Sequence, residues 1–492
     1  MSRGNDSSLR ILNYIGGTFV APKSGAYLDN WEAATGQVYS QVADSDERDV
    51  EDAVRAARAA FPAWSGLPSE DRARGLRALA ALIDRDLERF AAAESRDTGK
   101  PLSLARSVDL PRARANFEFF ADAITQFSSE FHAGAAGSLN YTLRAPLGVI
   151  GAISPWNLPL YLLSWKIAPA LAAGNCVVAK PSEVTPMTAH LMAELCFEAG
   201  IPAGVLNLVH GLGPKVGTAL TRHPQVKAIS FTGSTRVGEE IARITGPAFK
   251  KVSLEMGGKN PNVIFADVAE DPALYERALA TTVRAAFSNQ GQICLCGSRI
   301  LVERPIYEKF RDELVKRIRA LRQGDPALEA TEQGALVSQV HYGKVLAGIA
   351  LARAEGGHIL CGGEPAMMEG RCAKGWFVQP TLIEGLGPEC RTNQEEIFGP
   401  VATIAPFERE TEALAAANST RYGLAATVWT RDLSRAHRFS AALHSGIVWV
   451  NCWMLRDLRT PFGGVKDSGV GREGGQEALR FFTEPKNVCI QT

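Results

Sequence analysis

The chain has 492 residues, 46% of them hydrophobic and 22% charged, which is the balance of an ordinary soluble globular protein. Its 53 basic residues offset 53 acidic ones, and a formal charge of zero argues against a nucleic-acid binder or an electrostatic membrane-surface protein. Nine scattered cysteines form no spaced framework, which fits reduced thiols in a cytoplasm better than a disulfide-stapled secreted domain.

At ~150 residues per domain, the length corresponds to about three folding units. The polar N-terminus, MSRGNDSSLR, is followed by no apolar stretch of the secretory type. The best candidate for a membrane span, Tyr161 to Val178, is broken by Lys166, Pro169, Gly174 and Asn175. A cytoplasmic enzyme is the expectation.

Residues 45–61 predict a helix, with Val50, Ala53, Val54, Ala57 and Phe61 on one face and Asp46 and Asp49 suited to its first turn. Helical patterning continues from Glu70 to about Ala93 and again from Asn116 to Phe127. Leu139 to Ile150 alternates and carries β-formers, as an extended ribbon does. From there apolar runs (VIGAIS, CVVAK, VLNLV, AISFTG) alternate with helical stretches near 165–172, 186–199 and 214–222. That rhythm predicts an α/β fold with a parallel, doubly wound sheet. A second α/β block spans about 258–460, and the final FFTEPKNVCIQT reads as an edge strand.

Several turns carry chemistry. CVVAK ends in Lys180-Pro181-Ser182-Glu183, where a lysine and a carboxylate at the carboxyl end of a strand can hold ribose hydroxyls; a solvated charge pair is the plainer alternative. Phe231-Thr232-Gly233-Ser234, running on to Gly238, suits a strand-to-helix turn whose free N–H groups face a pyrophosphate, although a simple glycine-capped turn has the same pattern. Glu255, just before Met256 and Gly257, could be a partly desolvated general base or merely a strand end. Cys294, in Asn289-Gln290-Gly291-Gln292-Ile293-Cys294, is the best nucleophile candidate against the alternative of an inert buried thiol. A Cys294–Cys296 metal pair lacks a histidine at ligand spacing. In Ser154-Pro155-Trp156-Asn157-Leu158-Pro159, two prolines hold Asn157, whose amide can donate to an oxyanion. Glu395 to Pro400 and Pro461 to Gly464 are, taken alone, turns.

Together and in this order, SPWN, KPSE, FTGSTxxG, LExGGKNP, NQGQIC, EEIFGP and PFGG resemble the aldehyde dehydrogenase superfamily over essentially the whole chain. The resemblance implies that Cys294 attacks an aldehyde, that Asn157 and the Cys294 N–H hold the oxyanion, and that Glu255 activates the hydrolytic water. Lys166 would complete a proton path. It implies NAD as cofactor, with Ile153, Ser154, Pro155 and Trp156 on the adenosine side and Lys180, Ser182 and Glu183 on the ribose. Gly233 and Ser234 would face the pyrophosphate, Glu396 with Phe398 would position the nicotinamide ribose, and Phe231, Gly238, Met256 and Gly257 would also contact the cofactor. No metal is implied.

The family's architecture implies a Rossmann-like cofactor domain (1–127 and 147–257), an α/β catalytic domain (258–465) and a β-ribbon oligomerisation arm (128–146 and 466–492) giving a homodimer or homotetramer. WNLPLYLLSWK, DLPRxRxNFEFF and NCWMLRDLRTPFGG are most similar to the semialdehyde dehydrogenases that follow aromatic ring cleavage, acting on 2-aminomuconic or 2-hydroxymuconic semialdehyde. Arg112 and Arg456 are then expected to bind the carboxylate or 2-oxo group at the far end of the substrate, two solvated surface arginines being the plainer alternative. Alternatives are a betaine-aldehyde or aliphatic semialdehyde dehydrogenase, or a CoA-acylating enzyme. The interval from Glu255 to Cys294, 294 − 255 = 39 residues, is longer than is common in the family, and the extra residues are expected on the surface around Asp271–Arg277.

Overall fold

The apolar runs Val149–Ile153 and Cys176–Lys180 are buried on both faces, because helices cover each side of a parallel sheet. The computed structural model describes residues 9–491, so the reading of the extreme N-terminus at residues 1–8 lies outside the described residues. Five parallel strands, Lys251–Glu255, Val226–Thr232, Val149–Ile153, Cys176–Lys180 and Leu206–Leu208, lie side by side in that order. Chain order reverses between Val149–Ile153 and Val226–Thr232. Open α/β sheets bind ligands outside the carboxyl ends of the strands at such a switch point. Asn13–Ile15 and Thr18–Val20 extend one edge antiparallel, and Gly469–Val470 pairs with Leu254 and Glu255 on the other.

A second sheet of seven strands runs in the order His358–Cys361, Thr381–Glu384, Val401–Phe407, Arg299–Glu303, Pro261–Ile264, Ala425–Trp429 and Ile447–Val450. Only His358–Cys361, at the edge, is antiparallel. The ribbon is Ser138–Pro146, paired along its length with Thr483–Gln491 and in part with Phe131–Ala133. The ribbon's last strand begins only at Thr483, whereas the helix Gly475–Phe481 packs beside Pro159–Ala172. Among the described residues, no helix is long and apolar enough to cross a membrane.

Local chemistry moved several boundaries. The helix expected from Glu70 to Ala93 is two, Ser69–Arg85 and Leu87–Thr98, meeting at Asp86. The Asp86 N–H closes the first helix on Leu82 O, and its carbonyl opens the second by accepting from Phe90 N–H. The Asp86 carboxylate accepts from Arg85 at 2.8 and 2.9 Å. The helix expected from Asn116 starts at Leu110, with Pro111 in its first turn, and continues a π-helical turn at Ala105–Asp109. The segment around Asp271–Arg277 is only half a surface feature. Asp271 caps the helix Pro272–Phe287, and Leu274 and Tyr275 enter the core beneath the second sheet while Glu276 and Arg277 stay exposed.

Candidate active site

The first sheet delivers its candidates from strand ends. Ile153 leads into the Asn157 loop, Lys180 and Thr232 close their strands, and Glu255 is the last residue of Lys251–Glu255. The nucleophile candidate, Cys294, comes from the other side. The helix Pro272–Phe287 ends, and Asn289, Gln290 and Gly291 follow at φ 53°, 55° and 68°. Three consecutive left-handed residues are rare and mark a backbone held by its surroundings. A side chain at Gly291 would meet the Gly399 carbonyl oxygen at 2.0 Å, so the nucleophile loop packs directly on the EEIFGP turn. Asn260 Nδ2 donates to the carbonyls of Cys294 and Cys296 at 2.7 and 2.9 Å, which ties the loop to the second sheet.

Cys294 Sγ donates to Glu255 Oε1 at 3.4 Å, across 39 residues of sequence. Burial and the neighbouring carboxylate push this thiol well above its usual value. Burial likewise pushes Glu255 up to about 7. The Glu473 charge adds to that shift, while Lys166 and the Cys294 and Thr232 hydrogen bonds oppose it. A carboxylate tuned to neutral pH beside a thiol is suited to accept protons in that range. Behind it, Lys166 Nζ lies 2.9 Å from Glu473 Oε1, and Ser230 Oγ bridges the pair at 3.3 Å to each. All three are buried.

Sequence reasoning missed Glu473, together with Ser230 and Thr232. The available signal was a carboxylate bracketed by Gly471, Gly474 and Gly475, all at positive φ. The partner that makes it meaningful lies 307 residues away. Glu473 and Phe462 also exchange backbone hydrogen bonds at 2.6 and 2.7 Å, so the PFGG turn serves to seat this acid. Asn157 is buried, with its Nδ2 donating to Gln292 O at 2.9 Å beside the nucleophile.

On the cofactor side, Lys180 Nζ donates to Glu183 Oε2 at 2.7 Å, and Lys180 is 3% exposed. This is no solvated charge pair. Glu183 keeps a quarter of its side chain open, and Ser154 Oγ is buried with no partner among the described residues, so both have acceptor or donor capacity to spare for a bound hydroxyl. The Gly233 N–H, expected to be free, instead donates to Glu255 O at 3.0 Å, because the turn leaves the sheet one residue later. Ser234 precedes the helix Thr235–Thr245, and the start of a helix leaves N–H groups for an anion. A side chain at Gly238 would strike Met256 Sδ at 2.1 Å, and one at Gly257 a Glu396 carboxylate oxygen at 2.1 Å. Glu396 accepts from Gly258 N–H at 2.9 Å. Phe398, at φ 58°, packs on Trp156 at 5.3 Å between ring centres, and the unforeseen His341 lies 2.7 Å from its carbonyl oxygen. Phe231, Ile153 and Pro155 line the same end of the sheet, with Ser182 buried beneath it. These residues fit a dinucleotide. Among the described residues, no group of His, Cys, Asp or Glu could hold a metal ion.

Arg112 and Arg456 meet over the Tyr161 ring, each with its guanidinium carbon 5.7 Å from the ring centre. Arg456 donates to the Tyr161 hydroxyl and also stacks near Trp165 and Phe462. Neither arginine has an ion pair among the described residues. Burial and the Arg112 charge pull the Arg456 guanidinium down. The Glu473 charge opposes that shift, as the Asp109 charge does for Arg112.

The family model for the aldehyde dehydrogenase family matches residues 19–488. The chain is 49% identical to the 2-aminomuconic semialdehyde dehydrogenase of Danio rerio, over 97% of this chain and 98% of the relative. It is 46% identical to the 2-hydroxymuconic semialdehyde dehydrogenase of Pseudomonas sp. (strain CF600), over 98% and 99%. The NAD+ complex of an aldehyde dehydrogenase from Bacillus cereus superposes with a TM-score of 0.94 at 37% identity, covering 100% of this chain and 99% of that one. The family model spans nearly the whole length and the relatives match end to end: the chain belongs to the aldehyde dehydrogenase family.

Proposed function

We propose that this chain oxidises 2-aminomuconic or 2-hydroxymuconic semialdehyde, or a close anionic relative, to the acid with NAD. The observations that carry the reading are the part-buried Cys294–Glu255 contact and the pair Arg112 and Arg456, which share Tyr161 and make no ion pair among the described residues. Relatives of similar length that act on these semialdehydes support the substrate class, and solved relatives holding NAD+ support the cofactor.

Cys294 passes its proton to Glu255 and attacks the aldehyde carbon, forming the C–S bond of a thiohemiacetal. The oxyanion is held by the Asn157 amide and the Cys294 N–H. NAD supplies the hydride acceptor when bound. Its holders are Ser154, Trp156, Lys180, Ser182 and Glu183 at the adenosine end, the Gly233 to Gly238 turn at the pyrophosphate, and Met256, Gly257, Glu396 and Phe398 at the nicotinamide end. Collapse of the oxyanion breaks the C–H bond, the hydrogen leaving as the hydride that NAD would accept, and leaves a thioester on Cys294. Once Glu255 has passed the thiol proton on towards Lys166, Ser230 and Glu473, it takes a proton from water as it attacks, the C–S bond breaks with that proton returned to the Cys294 sulfur, and the acid leaves. Lys166, Ser230 and Glu473 carry charge and protons behind Glu255. Hydrolysis is favoured over CoA acylation because the base is present and tuned near neutrality.

Residues 9–127 and 147–257 serve as the cofactor unit and 258–465 as the catalytic unit. The ribbon of 128–146 and 483–491 exposes Phe131, Leu143 and Ile490, which supports pairing into a homodimer or homotetramer. The test of the substrate class is Arg112→Ala and Arg456→Ala, assayed with a muconic semialdehyde and with an uncharged aldehyde of similar length. Loss of a charged hydrogen bond costs ~1.5–3 kcal/mol, so kcat/KM falls roughly 10- to 150-fold for the anionic substrate alone. An equal fall for both substrates, or for neither, removes the arginines from substrate binding.

A further inference from the structure

Lys100 is 0% exposed and has its chain direction fixed by Gly99 (φ 77°), which caps the helix Leu87–Thr98, and by Pro101. Its ammonium reaches three separate segments. It donates to Asp109 Oδ2, donates to the Asn157 backbone oxygen at 3.0 Å, and lies 3.7 Å from Glu94 Oε1. Glu94 and Asp109 are buried as well. Burial pushes the Glu94 carboxyl up to about 7, with the Lys100 charge pulling against it. Exchanging a buried ionic cluster for apolar side chains of similar volume is often neutral or stabilising, so stability is a poor account of this one.

Its position is more informative. Asp109 ends the π-helical turn Ala105–Asp109, three residues before Arg112, and such turns recur at functional sites. The Asn157 carbonyl that Lys100 holds has a second donor in Asn289 Nδ2, at 3.1 Å, from the nucleophile loop. Asn289 Nδ2 also donates to Gln292 O at 3.0 Å, and the Asn157 amide donates to that same oxygen at 2.9 Å. One buried cation thus joins the substrate-arginine helix to the loop carrying the oxyanion amide, and that loop to the nucleophile.

We propose that Lys100 is a positioning residue for the oxidation, setting the Asn157 amide against Cys294 and, through Asp109, setting the Arg112 helix against both. The inference rests on the reading of Asn157 as oxyanion donor. Oxyanion donors act at about 2.7–3.1 Å. A displacement of ~1 Å can cost ~100-fold, so a loosened Asn157 loop registers in kcat.

The test is a double-mutant cycle on the NAD-saturated enzyme with an uncharged aldehyde: Lys100→Met, Asn157→Ala and the pair. Asn157→Ala is expected to lower kcat roughly 100- to 1000-fold. Lys100→Met is expected to lower kcat ~10-fold or more with little change in KM, but to cost less than about threefold when added to Asn157→Ala. A merely structural lysine would give losses that multiply, and multiplied losses overturn the inference while leaving the oxyanion reading intact. Parent-like activity in Asn157→Ala overturns both. Should Lys100→Met fail to fold, Asp109→Asn takes its place in the same cycle. It keeps the side-chain shape, removes the charge partner, and faces the same two outcomes.

Discussion

Glu255→Gln removes a base while keeping a side chain of the same shape, still able to accept from Thr232 Oγ1, which lies 3.2 Å from the carboxylate. The carboxyl, pushed up to about 7 by burial, is about half ionised at pH 7 and about one tenth ionised at pH 6. The working form of the base is the deprotonated one, so hydrolysis in the parent rises about fivefold from pH 6 to 7, more steeply below that, and levels off above about 7. Removing a general base costs ~10²–10⁴ in the step it serves. The two half-reactions do not suffer equally. The Glu255 charge is one cause of the raised Cys294 thiol, so its removal makes the thiolate easier to form and partly offsets the lost base during attack. Water gains no such compensation. Rapid mixing of Glu255→Gln with aldehyde and NAD is expected to show a burst near one NADH per site, then turnover slowed ~10²–10⁴-fold with the pH step near 7 gone. Equal loss in burst and steady phases, or a pH step that survives the substitution, refutes hydrolysis through Glu255.

Cys294→Ala abolishes NADH formation while NAD binding, followed by fluorescence, persists; Cys296→Ala keeps most activity, because its buried thiol has no contact with Glu255. The reverse pattern would move the nucleophile. NAD is preferred to NADP by ~10-fold or more in kcat/KM, since like charges at ~4 Å cost about 4 kcal/mol at an effective dielectric near 20, and Lys180 neutralises only part of the Glu183 charge. Glu183→Gln should narrow the preference, and an NADP kcat/KM equal to that of NAD in the parent takes Glu183 out of the ribose site. Gly291→Ala places a methyl against the Gly399 carbonyl oxygen at a left-handed position, so the midpoint of thermal unfolding and the burst rate both fall, with backbone strain alone costing ~1–3 kcal/mol. An unchanged midpoint would mean that the nucleophile loop is not held by the EEIFGP turn.

How far the chain could be read follows from the range of the forces involved. Alternation of buried strands and helices is a local pattern, so CVVAK and AISFTG were legible as parallel strands, and Lys180, Gly233 and Glu255 as residues at their carboxyl ends. Cys294 was legible as a candidate because a glycine-containing turn before a cysteine is a local arrangement. Helix ends were less so. Asp86 divides one predicted helix because capping competes with helix continuation over fractions of a kcal/mol, which apolar periodicity does not register.

Spacing and turn chemistry along the chain therefore determined the α/β class, the strand-end loops and the identities of Cys294, Glu255 and Asn157 as candidates. Only the tertiary structure decided their company: Glu473 on Lys166 across 307 residues, Arg456 on Tyr161 across 295, Lys100 on Asn157 across 57. A pattern along the chain encodes which face a residue turns toward the core. Burial then sets what a charge costs and which distant group must meet it, and that depends on how two sheets and a ribbon pack together.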